Sequence, residues 1–366
     1  MAKKKDTELL CGRRGKIGGE ALIEGIMMKA GRQYAVAVRQ PDKRIRVSLD
    51  SFQTVRDRFR LLRIPIVRGA VNMVETLILS YRVLGLSAEV FGDTGEEQTK
   101  FEKWVEKKFG KSILNVIMGI STVLGLLLGI GLFFFLPMAA TKGLEALFGG
   151  SIGWFKNLAE GLIRIGIFVL YIWAVSFMPD IRRTFQYHGA EHKTIFCYEK
   201  ELPLTVENIA AQKRFHPRCG TSFLFVALIV SVVISSFITW DNIWLRQGIK
   251  LLLLPLTVGL SFELIMYAGK HDNLLTRILS APGLWMQRLT TREPDAEMIE
   301  VAIASVKTVL SDEYPDFETD SVEGESYRIV REPRAEETEK DSADESGPAE
   351  ERGQEAEDAS TCAGQN

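Results

Sequence analysis

Apolar residues along this chain are concentrated in four blocks, each long enough to cross a lipid bilayer. The first covers residues 113–138 and has no charge in 26 residues. The others are 158–178, 222–240 and 249–268. About 20 apolar residues cross the roughly 30 Å of bilayer hydrocarbon. One such block alone could be a buried core helix, but four together predict a mainly α, polytopic membrane protein with about four transmembrane helices.

The residues before the first block have a different pattern. Residues 34–52 alternate between apolar and polar positions around a Pro-Asp-Lys turn, which predicts a β-hairpin. Residues 64–91 are mostly apolar but carry four charges, which favours an amphipathic helix on the inner membrane surface over a re-entrant segment. The N-terminal part is therefore expected to be a small α+β unit.

These patterns divide the chain into six predicted regions. The tail is rich in Glu, Asp and Ser and poor in aromatic residues, so it is expected to be disordered. The regions are a basic N-terminal region (1–111), helices one and two (112–178), a loop (179–221), helices three and four (222–268), a helical segment (269–322) and an acidic tail (323–366).

Charge placement predicts the orientation. The mean hydropathy is close to zero only because apolar blocks are averaged with charged flanks. Residues 321–366 hold 14 acidic and 5 basic residues, and the rest of the chain is net positive. There are 23 Lys and Arg residues before the first block and seven in 179–221. The short loops after the first and third blocks hold only two and one. The positive-inside rule then places both termini and the 179–221 loop in the cytoplasm.

Candidate chemistry is concentrated in that loop. The chain has four histidines, and two of them form His188-Gly189-Ala190-Glu191-His192, an H-x-x-E-H sequence. On a helix these side chains share one face. His188 and His192 could then bind one metal ion, most naturally zinc, with Glu191 as a general base. The alternative is a solvated or ion-paired helix face, and Gly189 weakens the helix at the centre of the motif.

Two histidines are too few for a tight metal site, so a third ligand must come from elsewhere. His216 and Cys219, in RFHPRCGTS, are two candidates. Glu263 is another, because an ionisable residue inside a predicted span is a functional candidate. Its alternative is a salt bridge or a hydrogen bond to another helix, with Arg182 or Arg183 as possible partners. The four cysteines include no C-x-x-C pair, which favours reduced thiols.

Several long stretches resemble the YqhQ-like family, bacterial membrane proteins labelled predicted metal-dependent enzymes. They are GGEALIEGIMMKAG, IPIVRGAVNMVETL, RRTFQYHGAEHKTIFCYE, RFHPRCGTSFL, SFELIMYAG and APGLWMQRLTTREPDAEMIEVAI. This family usually has Gln where Glu20 stands and Tyr where Phe262 stands. The resemblance implies a bacterial plasma membrane protein whose site includes His188, Glu191 and His192.

Three functional hypotheses follow. The first is a metal-dependent hydrolase acting on a membrane-associated substrate at the cytoplasmic face. The second is a non-catalytic scaffold or regulatory protein, in which Arg182, Arg183, Arg214 and Arg218 meet anionic lipid or a membrane protein partner. The third is a transporter component with Arg164 and Glu263 along its path. No phosphate-binding glycine loop is present, and neither nucleotide nor nucleic acid is an expected partner.

Overall fold

One antiparallel sheet contains the four N-terminal strands and the last two strands of the described residues. The computed structural model describes residues 13, 15–92, 120, 123–149, 155–238, 242–270, 273–317, 320–321 and 328–330. Within them the strand order is β1-β2-β3-β4-β6-β5. The strands are β1 (Ile17–Leu22), β2 (Gly25–Ala30), β3 (Gln33–Arg39), β4 (Ile45–Ser51), β5 (Asp320–Ser321) and β6 (Arg328–Val330).

The predicted hairpin is formed by β3 and β4, but the sheet is larger than the hairpin. Residues of both faces are buried along β3, because helices pack on each side. The alternation that predicts a strand therefore does not divide this strand into a core face and a solvent face. β6 pairs with β4 and adds a strand from residues 328–330, where the sequence predicts disorder from residue 323. Residues 331–366 lie outside the described part.

Helices make up most of the described chain, in agreement with the predicted mainly α class. Two short 3₁₀ turns, Val55–Asp57 and Arg60–Arg63, lead into the first of them. The helices are α1 (Val67–Gly92), α2 (Val123–Leu147), α3 (Phe155–Val175), α4 (Pro179–Glu199), α5 (Val206–Ala210), α6 (Gly220–Ser236), α7 (Ile243–Leu252), α8 (Leu254–Lys270), α9 (Leu274–Thr290) and α10 (Ala296–Val309).

The sheet lies between α1 on one face and α4 with α10 on the other. Leu79, Val83 and Val90 of α1 pack on one apolar cluster of the sheet. Tyr187 and Ala190 of α4 belong to the larger cluster on the opposite face, together with most of α10. Burial of apolar surface on both faces stabilises the sheet by roughly 25 cal/mol per Å², and it fixes α4, which carries the H-x-x-E-H motif.

Two helices, α2 and α3, are long and apolar enough to cross a membrane. They pack as an antiparallel pair, because Lys156 contacts Glu145 near one end and Tyr171 contacts Phe133 near the other. The helix α2 includes a π-helical segment, Gly131–Phe135. It also continues past the predicted end of the first span, residue 138, while residues 113–119 of that span lie outside the described part.

The third and fourth predicted spans differ from the structure. The helix α6 has 17 residues, or about 26 Å at 1.5 Å per residue, which is short of the hydrocarbon thickness. The fourth is a broken pair, Trp244–Leu252 and Leu254–Ala268, bent by 43°. The described residues therefore hold two helices that are long and apolar enough to span a membrane, or three candidates if the bent pair is counted as one, and the prediction of four is not confirmed. Hydropathy measures composition, and it does not detect a break such as the one at Leu253.

The helix α1 has a buried face and an exposed apolar face. Val74, Leu77, Ile78 and Tyr81 are each more than half exposed. Near its start, α1 touches α8, where a Cβ on Gly259 would lie 2.2 Å from the carbonyl oxygen of Ile66. The interfacial placement of residues 64–91 stays a prediction, and residues 93–119 lie outside the described part.

Candidate metal centre

The H-x-x-E-H motif lies on α4, with its side chains directed into the protein. The helix begins with Pro179 at its first position, where a missing N–H costs nothing. It is continuous through the motif and is buried along most of its second half. His188 is 12% exposed at its side chain, while Glu191 and His192 are almost fully buried. A solvated helix face is therefore excluded for this stretch.

Gly189 is explained by close packing. A Cβ atom at Gly189 would lie 2.0 Å from the carbonyl oxygen of Arg292, in the segment that links α9 to α10. No carbon atom can approach an oxygen that closely, so only glycine lets this segment lie against α4. The residue that weakens the helix in isolation is the one that permits its tertiary contact.

Three side chains converge beside this helix: His188, His192 and Cys219. Nε2 of His188 lies 3.1 Å from Sγ of Cys219. The two imidazole ring centroids are 4.4 Å apart. One nitrogen or sulfur atom from each of the three residues lies within 4.8 Å of the others. Cys219 caps the N-terminus of α6, so the apolar helix starts at the cluster.

Backbone carbonyl groups fix the orientation of both imidazoles. Nδ1 of His188 lies 2.9 Å from the carbonyl oxygen of Thr290, and Nδ1 of His192 lies 2.5 Å from that of Arg214. Because a carbonyl oxygen only accepts, each Nδ1 carries the proton and each Nε2 is the unprotonated nitrogen. Nε2 of His192 is buried, with no well-formed hydrogen bond in the described part of the chain. Metal-binding histidines are commonly held in this way.

The loop that carries Cys219 is anchored by Gln287, a fully buried residue of α9. Its side-chain oxygen accepts from the backbone N–H of His216 at 2.7 Å. Its side-chain nitrogen donates to the carbonyl oxygen of His216 at 2.7 Å and to the hydroxyl of Ser222 at 3.3 Å. Because these bonds lie on both sides of Cys219, they fix the position of its thiol beside α4.

Glu191 lies next to the three converging side chains. Its Oε2 is 3.9 Å from Nε2 of His188, and it accepts a hydrogen bond from the backbone amide of Gly19. A Cβ at Gly19 would lie 2.8 Å from Cγ of Glu191, so β1 approaches the carboxylate closely because position 19 is glycine. Burial raises the pKa of Glu191 to about 8, because the charged carboxylate is poorly solvated there.

Burial and neighbouring dipoles also act on the other two groups. Burial lowers the pKa of His192, which keeps the imidazole neutral. Burial raises the pKa of the Cys219 thiol, but His192 and Thr221 outweigh that effect, and the net shift is downward. A neutral imidazole and a thiol that deprotonates readily are the protonation states that a metal ion requires.

The other two predicted ligands are placed differently. The His216 ring lies 5.5 Å from that of His192, and its Nδ1 accepts a hydrogen bond from the backbone N–H of Arg218 at 3.3 Å. Glu263 accepts from Nε of Arg68 at 2.7 Å and from its terminal nitrogen at 2.5 Å. Glu263 is not among the described residues whose ligand atoms converge. It forms the interhelical salt bridge that was its alternative role, but the partner is Arg68, whereas the sequence suggests Arg182 or Arg183.

Three of the four arginines assigned to anionic lipid in the scaffold hypothesis have acidic partners within the protein. Both side-chain oxygens of Glu24 accept from Arg183. Arg214 lies 3.2 Å from Glu293, and Arg218 donates to Glu199. Arg183 joins α4 to the turn between β1 and β2, Arg214 contacts the segment before α10, and Arg218 joins the loop before α6 to the end of α4, so these three arginines already have acidic partners.

Glu199 ends the polar cluster on the side away from Glu191. Burial would raise the pKa of Glu199, but His216, the backbone amide of Gly15 and the charge of Arg218 outweigh burial and hold the pKa at about 2. Because this carboxylate is stabilised in its charged form, it contributes to folding stability above its ordinary pKa.

We expect a pH-dependent stability difference between the wild type and Glu199→Gln. A lowered pKa stabilises the fold above pH 4.5, and this contribution is lost as pH falls from about 4.5 to about 2. It amounts to about 3 kcal/mol, at 1.36 kcal/mol per pKa unit. Thermal unfolding of both proteins between pH 2 and 7 should give melting curves that converge at the acidic end. A difference that is constant with pH would contradict this assignment.

Sequence reasoning missed the residues that support the cluster. The carbonyl groups of Thr290 and Arg214 have no side-chain signature, so no motif could reveal them. Gln287 lies in a helical stretch with nothing to distinguish it from a surface glutamine. The paired glycines Gly18 and Gly19 were one usable signal, because paired glycines indicate close backbone approach.

The comparisons with known proteins agree with this description. Residues 64–312 match the family described as "Protein of unknown function (DUF1385)". The chain belongs to this family. It is also 35% identical over 299 residues to "Uncharacterized protein YqhQ" of Bacillus subtilis (strain 168), covering 80% of this chain and 92% of that protein. No solved structure matches.

Membership of the DUF1385 family confirms the resemblance to YqhQ-like proteins. The matched segment of this DUF1385 chain includes all three converging side chains and Glu191, and it begins after β4. Neither the family description nor the name of the Bacillus relative gives a reaction or a ligand. Function therefore has to be argued from the site itself.

Proposed function

We propose that this chain is a membrane protein that binds a divalent metal ion, zinc by its donor chemistry, through His188, His192 and Cys219. The observation that supports this proposal is the orientation of the imidazoles. Both Nδ1 atoms are bonded to backbone carbonyls, and one nitrogen or sulfur donor from each of the three residues lies within 4.8 Å of the others. Nε2 of His192 is buried without a well-formed hydrogen bond in the described part of the chain, which costs free energy, and a cation would remove that cost.

The donor set favours zinc. Imidazole nitrogen and cysteine thiolate are both usual protein ligands of zinc, and zinc sites that keep an open position have three protein ligands, whereas calcium and magnesium prefer oxygen. Donors around one tetrahedral zinc are about 3.6 Å apart, given bond lengths of about 2.1–2.3 Å. The distance of 3.1 Å between His188 and Cys219 requires an adjustment of about half an ångström.

Glu191 is proposed as the acid–base group of a hydrolytic reaction. Its carboxyl group is next to the metal-binding atoms, with Oε2 3.9 Å from Nε2 of His188. When bound, the ion would supply a Lewis acid, and its charge would favour the ionised form of Glu191. The Glu191 carboxylate would accept a proton from the attacking water and return it to the leaving group.

The location of the cluster favours a membrane-associated substrate. His188 is nine residues into α4, about 14 Å along the helix from its start near the end of α3. Cys219 caps the apolar helix α6. Positive-inside orientation would place this side in the cytoplasm. The reacting bond is therefore proposed to belong to a lipid-linked or membrane-embedded molecule at the inner face.

Replacing Glu191 with glutamine should separate catalysis from metal binding. The amide keeps the size and a hydrogen-bond acceptor but cannot take a proton. We expect Glu191→Gln to retain its zinc, measured by elemental analysis of detergent-purified protein, and to fail to complement a deletion strain. Glu297→Gln, an exposed acid-to-amide change on α10, should retain both properties. If Glu191→Gln complements the deletion strain, Glu191 is not the acid–base group. If purified wild-type protein contains no metal, the metal-site proposal is wrong and the scaffold hypothesis remains.

A thiol nucleophile is the second candidate function. The contact between His188 and Cys219, with the thiol at a helix N-terminus, also suits a cysteine–histidine pair. Alkylation by iodoacetamide, mapped by mass spectrometry, separates the two candidates. A metal ligand should become reactive only after a chelator is added, whereas a nucleophile should react without one. Cys197, whose pKa is raised to about 11 by burial, is an internal control.

A further inference from the structure

A second polar cluster lies within the membrane-spanning part, on the inward face of the broken span. Trp244 and Leu252 of α7 are more than 70% exposed. Arg246 and Lys250, one helical turn apart, point the other way, and their side chains are 7% and 6% exposed. Broken helices in membrane proteins commonly line binding sites, because their ends and inward side chains face a polar interior.

Both residues surround a single carboxylate, that of Glu160 on α3. Oε1 of Glu160 accepts from Nζ of Lys250 at 2.7 Å and from Arg164 at 3.0 Å. Oε2 lies 3.4 Å from a terminal nitrogen of Arg246. The Glu160 side chain is 1% exposed and that of Arg164 is 10% exposed. Four ionisable side chains are therefore buried together.

The charges in this cluster do not balance. One carboxylate faces three cations, an excess of two positive charges among the described residues. The nearby pair of Lys156 and Glu145, 2.8 Å apart, is neutral by itself and contributes nothing to the excess. A buried charge needs a partner of opposite sign, especially inside a bilayer. Glu160 alone cannot supply it.

The guanidinium of Arg246 also has unused bonding capacity. Its Nε is buried with no hydrogen-bond partner in the described part of the chain, and its contact with Glu160 is long, at 3.4 Å. An arginine offers five donors in a planar fork. A buried fork with an unused donor, beside excess positive charge, indicates a missing acceptor.

We propose that Arg164, Arg246 and Lys250 bind a phosphate group in the membrane-spanning part of the protein. Arginine matches the oxygens of phosphate with paired hydrogen bonds, and lysine adds a point charge. A phosphate with up to two negative charges balances the excess. The phosphate belongs either to inorganic phosphate or to a lipid headgroup.

This site is separate from the candidate metal centre. Arg164 lies 11 residues, or about 16 Å, before the end of α3, and Glu160 lies further still. The metal-binding residues come after that end, on α4 and at the start of α6. Exposed Trp244, on the same short helix as Arg246, is of the type that lies at membrane interfaces.

Thermal unfolding of the full chain in phosphate-free maltoside micelles tests the proposal in two arms. One arm adds inorganic phosphate at constant ionic strength, with chloride as the reference. The other adds phosphatidylglycerol to the micelles, with a neutral diacylglycerol as the reference. A ligand that binds the folded state raises the melting temperature in a saturable manner. The arm that responds identifies the source of the phosphate.

Charge variants should shift the apparent affinity in opposite directions. Arg246→Gln and Lys250→Gln should each weaken binding at least tenfold in the responding arm. Glu160→Gln raises the positive excess and should strengthen binding severalfold. Arg82→Gln removes an exposed arginine on α1 and should leave binding unchanged. Wild-type protein with no saturable response in either arm would overturn the proposal, whether or not the variants fold. The proposal would also be overturned if Arg246→Gln and Lys250→Gln bound phosphate or phosphatidylglycerol as tightly as the wild type does.

Discussion

We expect purified wild-type protein to carry about one zinc ion per chain and the His192→Ala variant to carry none. The alanine deletes the Nε2 donor and leaves a cavity in a buried cluster. Changes to residues that only orient metal ligands cost about 10–100-fold in metal affinity, so loss of a ligand should cost more than 100-fold. Elemental analysis after gel filtration, together with a competition titration against a chromogenic chelator, would measure both quantities.

The matched control is His216→Ala. This ring lies 5.5 Å from that of His192 and is not among the converging ligands. The His216→Ala substitution removes the same number of atoms as His192→Ala, from a similarly buried position. We expect His216→Ala to retain the metal with an affinity within about tenfold of the wild type. If His216→Ala loses zinc and His192→Ala keeps it, the ligand assignment is wrong.

Gly189→Ala should be the most destabilising small substitution in the motif. Its added methyl group would lie 2.0 Å from the carbonyl oxygen of Arg292, within the contact between α4 and the segment after α9. Overpacking in a rigid core costs about 1–3 kcal/mol and occasionally more, and here the obstacle is backbone. The shift should also displace the carbonyl oxygen of Thr290 from His188, so metal affinity should fall together with the melting temperature.

Gly85→Ala provides the contrast. Gly85 is an exposed helical glycine of α1 with nothing within 4 Å of a Cβ atom. Alanine there should raise stability by about 0.5–1 kcal/mol, because it restricts the unfolded chain and favours the helix. Thermal unfolding of the two variants under identical conditions tests the pair. Equal melting temperatures would show that α4 and the residue 292 segment are not in close contact.

His192→Ala and Gly189→Ala test the proposed metal site in two different ways. Deleting a ligand leaves the scaffold in place, whereas crowding Gly189 moves the scaffold and leaves the ligands intact. A protein whose metal affinity depends on both has a site built by tertiary packing. If the metal affinity depends only on His192, the α4 motif can form the site without the contact at Gly189.

The H-x-x-E-H spacing was informative because helix geometry is local. Residues at i, i+3 and i+4 share a face wherever a helix forms, and α4 does form. The sequence could therefore place His188, Glu191 and His192 together without knowledge of the fold. It could not choose among His216, Cys219 and Glu263, because their distances from α4 depend on how the chain packs.

Glu263 illustrates this limit. An acidic residue in an apolar segment indicates a partner, and that inference is correct. The partner is Arg68, 195 positions earlier, at the start of a helix that the sequence assigns to another region. Long-range pairing of this kind depends on the packing of α8 against α1, and single-sequence hydropathy carries no information about that packing.

The sequence by itself determined the family, the apolar helices α2 and α3, the β3–β4 hairpin and the helical face of the motif. Each follows from spacing along the chain or from composition, which act over a few residues. Tertiary structure decided the rest: the bend at Leu253, the two-sided burial of the sheet, and the approach of Cys219 to the histidines. These depend on contacts between distant segments, where burial and steric fit outweigh local preference.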